Sequence, residues 1–282
     1  QTGPRRMFSS LLAPVAVFVS LGLGAPLLVA VGTTRYVDDN TCPSPGSGTL
    51  GNPYCRIQDA ICVAVSGDTV SVAPGTYTEA VRMKPGVSLV SQQGPSVTTI
   101  NAAGQPCTQG GGTDPLPYCG KRTGNACSVV TFSSGHTTST RLEGFTVTGG
   151  AGLVQTGAVN HVAGGGVYVF SSPTIINNVI TNNVLSGNQP EYKGAGVYVA
   201  VGSPVITGNT ITSNRAVPGP GTNSALTYGY GGGIWVNFNA GPVITNNIIQ
   251  GNRAGDPNAD FSLGAGGGIV IWPGDTNHPG PV

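Results

Sequence analysis

The chain has 282 residues, of which 46 are Gly, 22 are Pro and only 8% are charged. Disorder requires low hydrophobicity and high net charge, whereas here 39% of the residues are hydrophobic and the formal net charge is +1, so the chain can build a packed core. Its Lys and Arg residues form no concentrated basic stripe, and we therefore expect no nucleic acid partner.

Residues 1–32 are interpreted as a signal peptide or an N-terminal anchor. Arg5 and Arg6 precede an apolar run from Leu11 to Val31 that is rich in small residues, as is typical of an export signal. The arginine pair is similar to a twin-arginine signal, and that route stays open. Retention as a membrane anchor is the alternative, because about 20 apolar residues can span a bilayer.

All the cysteines lie in the N-terminal half of the chain, and an even number behind an export signal predicts disulfides. A bond between Cys55 and Cys62 is excluded if both lie on one helix, because two turns separate them by roughly 10 Å. Cys42 should then bond one of these two. The disulfide candidates are Cys42, Cys55, Cys62, Cys107, Cys119 and Cys127.

One short helix is predicted near the start of the folded domain, which we place at residues 33–282. Its apolar residues recur at the spacing of one helix face, and Gly67 is the predicted C-cap. We expect this helix to cover the open N-terminal edge of the strands that follow. Residues 105–125, rich in Gly, Pro and Cys, are interpreted as an excursion from the fold. The residues of the helix face are Ile57, Ala60, Ile61, Ala64 and Val65.

An internal repeat dominates the second half of the chain. A glycine, a short apolar strand, a proline and an Asn-rich segment recur in the same order, and length varies only after the last Asn of each copy. Three short apolar runs per copy, each too short for a helix, predict three strands per coil, stacked in parallel. The predicted fold class is therefore all-β, a single-stranded parallel β-helix (solenoid) of six or seven coils. The equivalent glycines are Gly166, Gly196, Gly233 and Gly268.

Three asparagines occupy one equivalent turn of the repeat. At Asn178, Asn209 and Asn247 the side chain tolerates a left-handed backbone, and identical side chains about 4.8 Å apart can hydrogen-bond along the stack. We interpret these residues as a structural ladder and not as a catalytic set.

Residues 36–282 resemble the pectin lyase-like superfamily of right-handed parallel β-helices. The repeat carries this resemblance together with N-terminal segments similar to those of exported bacterial β-helix repeat proteins. The resemblance implies a right-handed solenoid and says little about activity. We also expect the domain to be truncated at its C-terminal end, because no capping segment follows the fourth copy. The N-terminal segments are Tyr36–Asn40, Asn52–Pro53, Gly67–Val70 and Pro74–Glu79.

Many members of that superfamily cleave acidic polysaccharides, which makes a polysaccharide lyase or glycoside hydrolase the alternative function. A polygalacturonase-type hydrolase needs clustered carboxylates, but Ile211 stands where that family has Asp, and Thr137 replaces the Gly expected after Gly135-His136. Three repeat-region carboxylates share the variable loop, and we interpret them as solvated charges, so no catalytic residue is named. The three are Glu191, Asp256 and Asp260, while Glu143 and Asp275 lie elsewhere in the repeats.

An aromatic column is the one feature that favours binding. Tyr168, Tyr198 and Trp235 occupy the same outward position on three coils, with Tyr228 and Tyr230 before the third copy. Exposed aromatic rings suit stacking against sugars, although such a column can also serve only to stabilise the sheet. We predict recognition of a polysaccharide or cell-surface glycan, without catalysis, by a secreted or cell-surface protein. A structural spacer or adhesin stalk is the third hypothesis.

The sequence offers little support for metals or cofactors. Asp38 and Asp39 are candidate ligands for a cation, but we interpret Asp39 and Asn40 as a simple turn. Calcium binding stays possible, although the sequence identifies no site for it. We expect no other metal. Gly164-Gly165-Gly166 opens a strand and not a phosphate-binding turn, so we expect no organic cofactor. No membrane contact is expected beyond an N-terminal anchor. The histidines, which have no ligand spacing, are His136, His161 and His278.

Overall fold

The fold is that of a computed structural model, which describes residues 32–42, 46–105, 128–156, 160–187, 189–217, 227–255 and 262–272. Nearly all of the predicted signal peptide or anchor lies outside these residues, so that prediction stays untested. Within the described ranges, no helix is long and apolar enough to cross a bilayer.

The domain is a right-handed parallel β-helix with three long sheets, as predicted. Among the described residues, sheet B has seven strands, one from each of seven coils, and sheets A and C have six strands each. Sheet A contains Val81–Arg82, Val130–Phe132, Val167–Phe170, Val197–Val201, Ile234–Val236 and Ile269–Ile271. Sheet B contains Thr34–Val37, Thr69–Val72, Ser88–Ser91, Arg141–Glu143, Thr174–Ile176, Val205–Thr207 and Val243–Thr245. Sheet C contains Gly75–Tyr77, Thr98–Asn101, Thr146–Thr148, Val179–Thr181, Thr210–Thr212 and Ile248–Gln250.

A fourth sheet, sheet D, runs beside the solenoid and was not predicted from the sequence. Its first two strands are antiparallel and the others are parallel. A short parallel pair, Arg215–Ala216 with Arg253–Ala254, completes the strands. Sheet D contains Leu153–Gln155, His161–Ala163, Glu191–Lys193, Thr227–Tyr230 and Ser262–Ala265.

Columns of β-branched residues fill the interior. Ile175 pairs in register with Ile206, and Ile180 pairs with Ile211, and all four are fully buried. Burial of one such side chain contributes about 1.5–3 kcal/mol, so the inward column of each strand supplies most of the driving force for stacking. The period-two pattern of the sequence thus gives the core directly.

The helix Ile57–Val63 covers the N-terminal end of the core, as predicted. Its apolar face is fully buried together with side chains of the first coils, including Val37 and Val70. The Glu79 carboxylate accepts the backbone N–H groups of Ile57 (2.8 Å) and Gln58 (3.0 Å), which have no partner inside the helix. The cap is therefore tied to the solenoid by packing and by hydrogen bonds.

The predicted end of this helix is wrong. Ala64, and not Gly67, is the C-cap, and Val65 is 58% exposed instead of joining the buried face. The reason is competition for the backbone groups that would extend the helix. The Asp68 carboxylate accepts the N–H of Val65 at 3.0 Å, and Gly67 donates its N–H to Gly86 O at 2.8 Å, so this segment bonds to the solenoid instead.

One disulfide joins Cys42 to Cys55, which confirms that Cys42 bonds one of the two nearest cysteines. Cys55 lies just before the helix, and Cys62, on the helix, is also disulfide-bonded. The remaining disulfide candidates lie outside the described residues, as does nearly all of the predicted excursion at 105–125; these cysteines are Cys107, Cys119 and Cys127.

The predicted asparagine ladder is confirmed. Asn178 donates its side-chain N–H to Asn209 Oδ1 (3.1 Å), and Asn209 donates in the same way to Asn247 Oδ1 (3.0 Å). The same oxygens accept the backbone N–H groups of the preceding ladder residues, both at 2.9 Å. Each Asn therefore satisfies buried backbone and side-chain groups of two coils at once.

The left-handed residue is one position earlier than predicted. Asn177 and Asn246 have φ of 56° and 54°, whereas the ladder residues that follow them are absent from the positive-φ set. A left-handed residue turns the chain sharply, which leaves the next side chain directed inward. The ladder position thus requires an Asn side-chain amide, whereas the position before it requires a residue that tolerates a left-handed backbone.

A second ladder, which the sequence reasoning missed, follows sheet C. Asn183 donates to Asn214 Oδ1 and Asn214 donates to Asn252 Oδ1, both at 2.9 Å. The residues before Asn183 and Asn214 also have positive φ. The same sequence signal, an Asn after a residue that tolerates φ > 0, could have identified it.

Truncation of a ladder side chain should destabilise the domain strongly. Asn178→Ala removes the acceptor of the Phe145 N–H (3.0 Å) and the donor to Asn209, and buried groups left unpaired cost about 2–4 kcal/mol in total. Chemical denaturation should show this loss in the free energy of unfolding. The neighbouring Asn177→Gly, at an exposed left-handed residue, is the control and should change stability by less than about 1 kcal/mol. Equal losses in the two variants would contradict the ladder's role.

Candidate functional site

Sheet D packs against the outer face of sheet A. Its inner face carries Ala163 and Tyr230, which contact the aromatic side chains of sheet A in one apolar cluster. Its opposite face carries Val162 and Tyr192, which form a separate buried cluster. The molecule therefore has aromatic packing outside the main core, between two sheets.

The predicted aromatic column exists, but its predicted exposure is wrong. Tyr168, Tyr198 and Trp235 pair in register, and the two tyrosine rings stack with centroids 5.4 Å apart. All three side chains are nevertheless buried, with exposed fractions of 8%, 5% and 3%. They point away from the main core, as predicted, but sheet D covers them.

The glycine triplets explain why sheet D lies so close. Gly164 and Gly194 have φ of 64° and 61°, which turns the chain from sheet D into sheet A. A Cβ on Gly166 would lie 2.6 Å from Gly196 O, so only glycine permits this close stacking of coils. The triplet at 164–166 is thus a corner of the solenoid, consistent with the expectation that it opens a strand.

A row of four rings runs from sheet D across sheet A. We call Tyr228, Tyr230, Trp235 and Trp272 the aromatic row. Successive ring centroids are 6.1, 5.4 and 5.8 Å apart. Tyr228 and Tyr230 are half-buried and Trp272 is 47% exposed, so the row reaches the surface where the predicted column does not. The sequence reasoning named three of these residues and missed Trp272, which follows the last strand of sheet A.

The row contains one polar atom without a partner. Trp235 Nε1 is buried and donates no hydrogen bond to any of the described residues. A buried indole N–H normally finds an acceptor, and leaving it unpaired costs about 1–3 kcal/mol.

An ion pair lies beside the row. Lys193 Nζ is 2.6 Å from Glu191 Oε2 and 5.4 Å from the centroid of the Trp235 ring. The two side chains are on the same face of sheet D, because they are two residues apart on one strand. Their charges cancel, so the surroundings of the row carry hydrogen-bonding groups with little net charge.

Tyr168, Tyr198 and Tyr230 stay protonated over the ordinary pH range, because burial raises the pKa of each. Burial raises the pKa of Tyr168 to about 12. Burial, and then the charge of Glu191, raises the pKa of Tyr230. Tyr168 donates its hydroxyl hydrogen to Gln155 Oε1 (3.3 Å), and Tyr198 Oη lies 3.4 Å from His161 Nε2. The hydroxyls at this site therefore act as neutral hydrogen-bonding groups.

The repeat-region carboxylates are not brought together where the structure describes them. Glu143 is paired with Arg141 at 2.7 Å on sheet B, and Glu191 is paired with Lys193 on sheet D. Glu191 lies in a strand and is half-buried, so its interpretation as a solvated loop charge is wrong. The remaining three, Asp256, Asp260 and Asp275, lie outside the described residues.

The N-terminal acidic residues form the expected turn. Asp38 accepts the N–H of Asn40 at 2.9 Å and the hydroxyl hydrogen of Thr41 at 2.7 Å. The Thr41 hydrogen bond is the main cause of a lowered Asp38 pKa. Among the described residues, no group of three His, Cys, Asp or Glu residues is arranged to hold a metal ion.

His136 is part of the packing and not of the aromatic row. It is buried, its ring meets Phe132 edge to face, and Nδ1 lies 3.3 Å from Thr140 Oγ1. Burial, with a smaller contribution from the charge of Arg82, lowers the His136 pKa to about 4.

Comparison with known proteins identifies a family. The family described as Protein of unknown function (DUF1565) matches residues 43–269. No curated protein and no solved structure matches the chain.

Acidification should destabilise the domain through His136. The unfolded chain takes up a proton at this residue below about pH 6.5, whereas the folded chain resists protonation until about pH 4. The stabilisation is therefore complete above pH 6.5 and is lost as the pH falls toward 4, by about 1–2 kcal/mol between pH 7 and pH 5. Unfolding of the His136→Asn variant, measured by denaturant at both pH values, should lack this part of the loss. An identical pH dependence in the two proteins would contradict the assignment.

Proposed function

Since the chain belongs to the family described as Protein of unknown function (DUF1565), we propose its function from the site itself: recognition of an uncharged polysaccharide or cell-surface glycan by the aromatic row, without catalysis. The observation that carries this proposal is the row of four rings, which reaches the surface at Tyr228 and Trp272.

The chemistry of the row suits a sugar. Aromatic rings offer an apolar face to the C–H groups of a pyranose, while hydroxyl and N–H groups beside them bond the sugar oxygens. Tyr228 and Trp272 supply ring surface at the two ends of the row, and the half-buried Glu191–Lys193 pair beside it supplies polar groups. A planar apolar ligand would use the rings but not the polar groups beside them, so a sugar is the better fit.

The ion pair favours an uncharged ligand. Lys193 is already neutralised by Glu191, and separation of this half-buried pair would leave each charge poorly solvated. A uronic acid would have to compete with Glu191 for Lys193. A neutral hexose or pentose polymer can bond both groups without separating them.

The proposed location is outside the cytoplasm, in a secreted or cell-surface state. The Cys42–Cys55 disulfide supports this, because disulfides persist in oxidising compartments. The predicted export signal points to the same location. The parallel solenoid also supports the proposed relationship to the pectin lyase-like superfamily, whose members share this architecture.

A structural spacer is the second candidate, and the asparagine ladders favour it. The two ladders bond successive coils in register, which stiffens the solenoid along its axis. A stiff rod needs no ligand. The two candidates differ in whether Tyr228 and Trp272 contribute to the binding of a ligand.

The direct test is a panel of polysaccharides offered to the secreted, oxidised protein. Insoluble cellulose, xylan and mannan represent neutral chains, and polygalacturonate represents acidic chains. We expect retention on at least one neutral polymer and no new chain ends, with calcium or with chelator. New chain ends would overturn the non-catalytic proposal, retention on polygalacturonate alone would overturn the uncharged ligand, and no retention at all would favour the spacer.

Substitution at the ends of the row should weaken retention. Trp272→Ala and Tyr228→Ala each remove accessible ring surface, and we expect binding about tenfold weaker, a loss of about 1.4 kcal/mol. Phe170→Ala is the matched control, because Phe170 is a 44% exposed aromatic residue of sheet A outside the row. Depletion isotherms on the retained polymer give the affinities. A loss in the Phe170 variant equal to that in the Trp272 variant would remove the row as the binding site.

A further inference from the structure

The outward face of sheet C carries two columns of uncharged side chains, among which threonine is the most frequent residue. The inward residues of its strands, such as Val147, Ile180 and Ile211, are fully buried, so the flanking residues face outward. They align across successive coils without a register shift. One column contains Thr99, Thr146, Val179, Thr210 and Ile248, and the other contains Asn101, Thr148, Thr181, Thr212 and Gln250.

None of these ten side chains is charged, which separates this face from the other two long sheets. The outward face of sheet B carries the Arg141–Glu143 ion pair, and the outward face of sheet A is covered by sheet D. The threonine face, as we call the ten residues, is therefore an uncharged surface. A partner recognised by charge has nothing to bind here.

The central hydroxyls of the threonine face are available. The side-chain hydroxyls of Thr148, Thr181 and Thr210 form no hydrogen bond with any of the described residues, whereas the Thr146 hydroxyl donates to Pro95 O (2.7 Å). Threonine is β-branched, so its rotamer is restricted and each hydroxyl keeps a fixed position relative to its methyl group. The array is thus preorganised, and little conformational entropy is lost when a partner orders it.

The spacing of the array matches that of a water lattice. Adjacent parallel strands are about 4.7–4.9 Å apart, so hydroxyls in one column repeat at that distance. In a tetrahedral network with O–H···O distances of about 2.75 Å, second-neighbour oxygens are about 4.5 Å apart. A column of threonines can therefore hold water molecules at nearly the spacing that they have in ice, while the methyl groups order the water between them.

We propose that the threonine face binds ice. The ligand is the surface of the crystal, and the contact consists of lattice waters bonded to the threonine hydroxyls and packed around the methyl groups. The site is distinct from the aromatic row, and neither proposal depends on the other. A charged side chain in the array would hold its own hydration shell and prevent the lattice from forming against the sheet.

The experiment measures thermal hysteresis and crystal shape in the full oxidised chain. We expect faceted crystals and a gap between melting and freezing points. Thr148→Lys and Thr181→Lys, singly and together, should lose both effects. Thr207→Lys is the matched control, since Thr207 also faces outward from a three-residue strand, but on sheet B. Rounded crystals without hysteresis in the unmodified protein would overturn the proposal, as would an equal loss in the Thr207 variant.

A second set of variants guards against misfolding and separates the two groups of threonine. Thr181→Val keeps the methyl groups and Thr181→Ser keeps the hydroxyl, and each should retain only part of the hysteresis. Thermal unfolding and circular dichroism should show the same fold in every variant. Trp272→Ala should leave hysteresis unchanged, and a loss there would move the activity to the aromatic row and overturn the assignment to sheet C.

Discussion

The register between successive coils is the constraint on which this molecule depends. Backbone hydrogen bonds fix the distance and alignment between strands, so each side chain lies directly above its equivalent in the next coil. A residue therefore meets a copy of itself, and only side chains that tolerate this are suitable. Isoleucine packs on isoleucine inside the core, asparagine bonds asparagine at the turns, and glycine is required where carbonyl groups approach within 2.6 Å of a notional Cβ. The same rule gives the outer surfaces their columns of identical groups.

Much of this architecture could be predicted because each copy of the repeat has the same types of residue in the same order. The alternation in segments such as Val167–Val169 separates inside from outside, and the recurring Asn178, Asn209 and Asn247 identify a turn. The helix end was harder. Its periodicity continues to Val65, but Asp68 takes the backbone N–H that a further turn would have used. Sequence periodicity shows which face of a helix is apolar. It does not show that a carboxylate outside the helix competes for the backbone N–H groups that would extend it.

The site was predicted only in part, for a physical reason. A period-two pattern assigns Tyr168 to the outside of the solenoid, yet it cannot show that a second layer covers that outside. Sheet D arises from short strands such as Glu191–Lys193 that lie next to segments of variable length, where the repeat signal is weakest. Trp272 was missed because it follows the three-residue strand pattern that defined the column, and only one earlier copy has an aromatic residue at the equivalent position, Phe170. Burial by a second sheet, and not composition, decides which aromatic rings reach the surface.

The asparagine ladders also determine how such a chain can change in length. From Asn178 to Asn209 the ladder advances by 31 residues, and from Asn209 to Asn247 by 38, yet the two side-chain hydrogen bonds have nearly the same length, 3.1 and 3.0 Å. The additional residues are accommodated away from the ladder. Gain or loss of a whole coil therefore restores every contact at the junction, whereas gain or loss of one or two residues within a strand breaks all of them. Such a protein changes in steps of one coil, and each step moves its surfaces by one strand spacing without altering their chemistry.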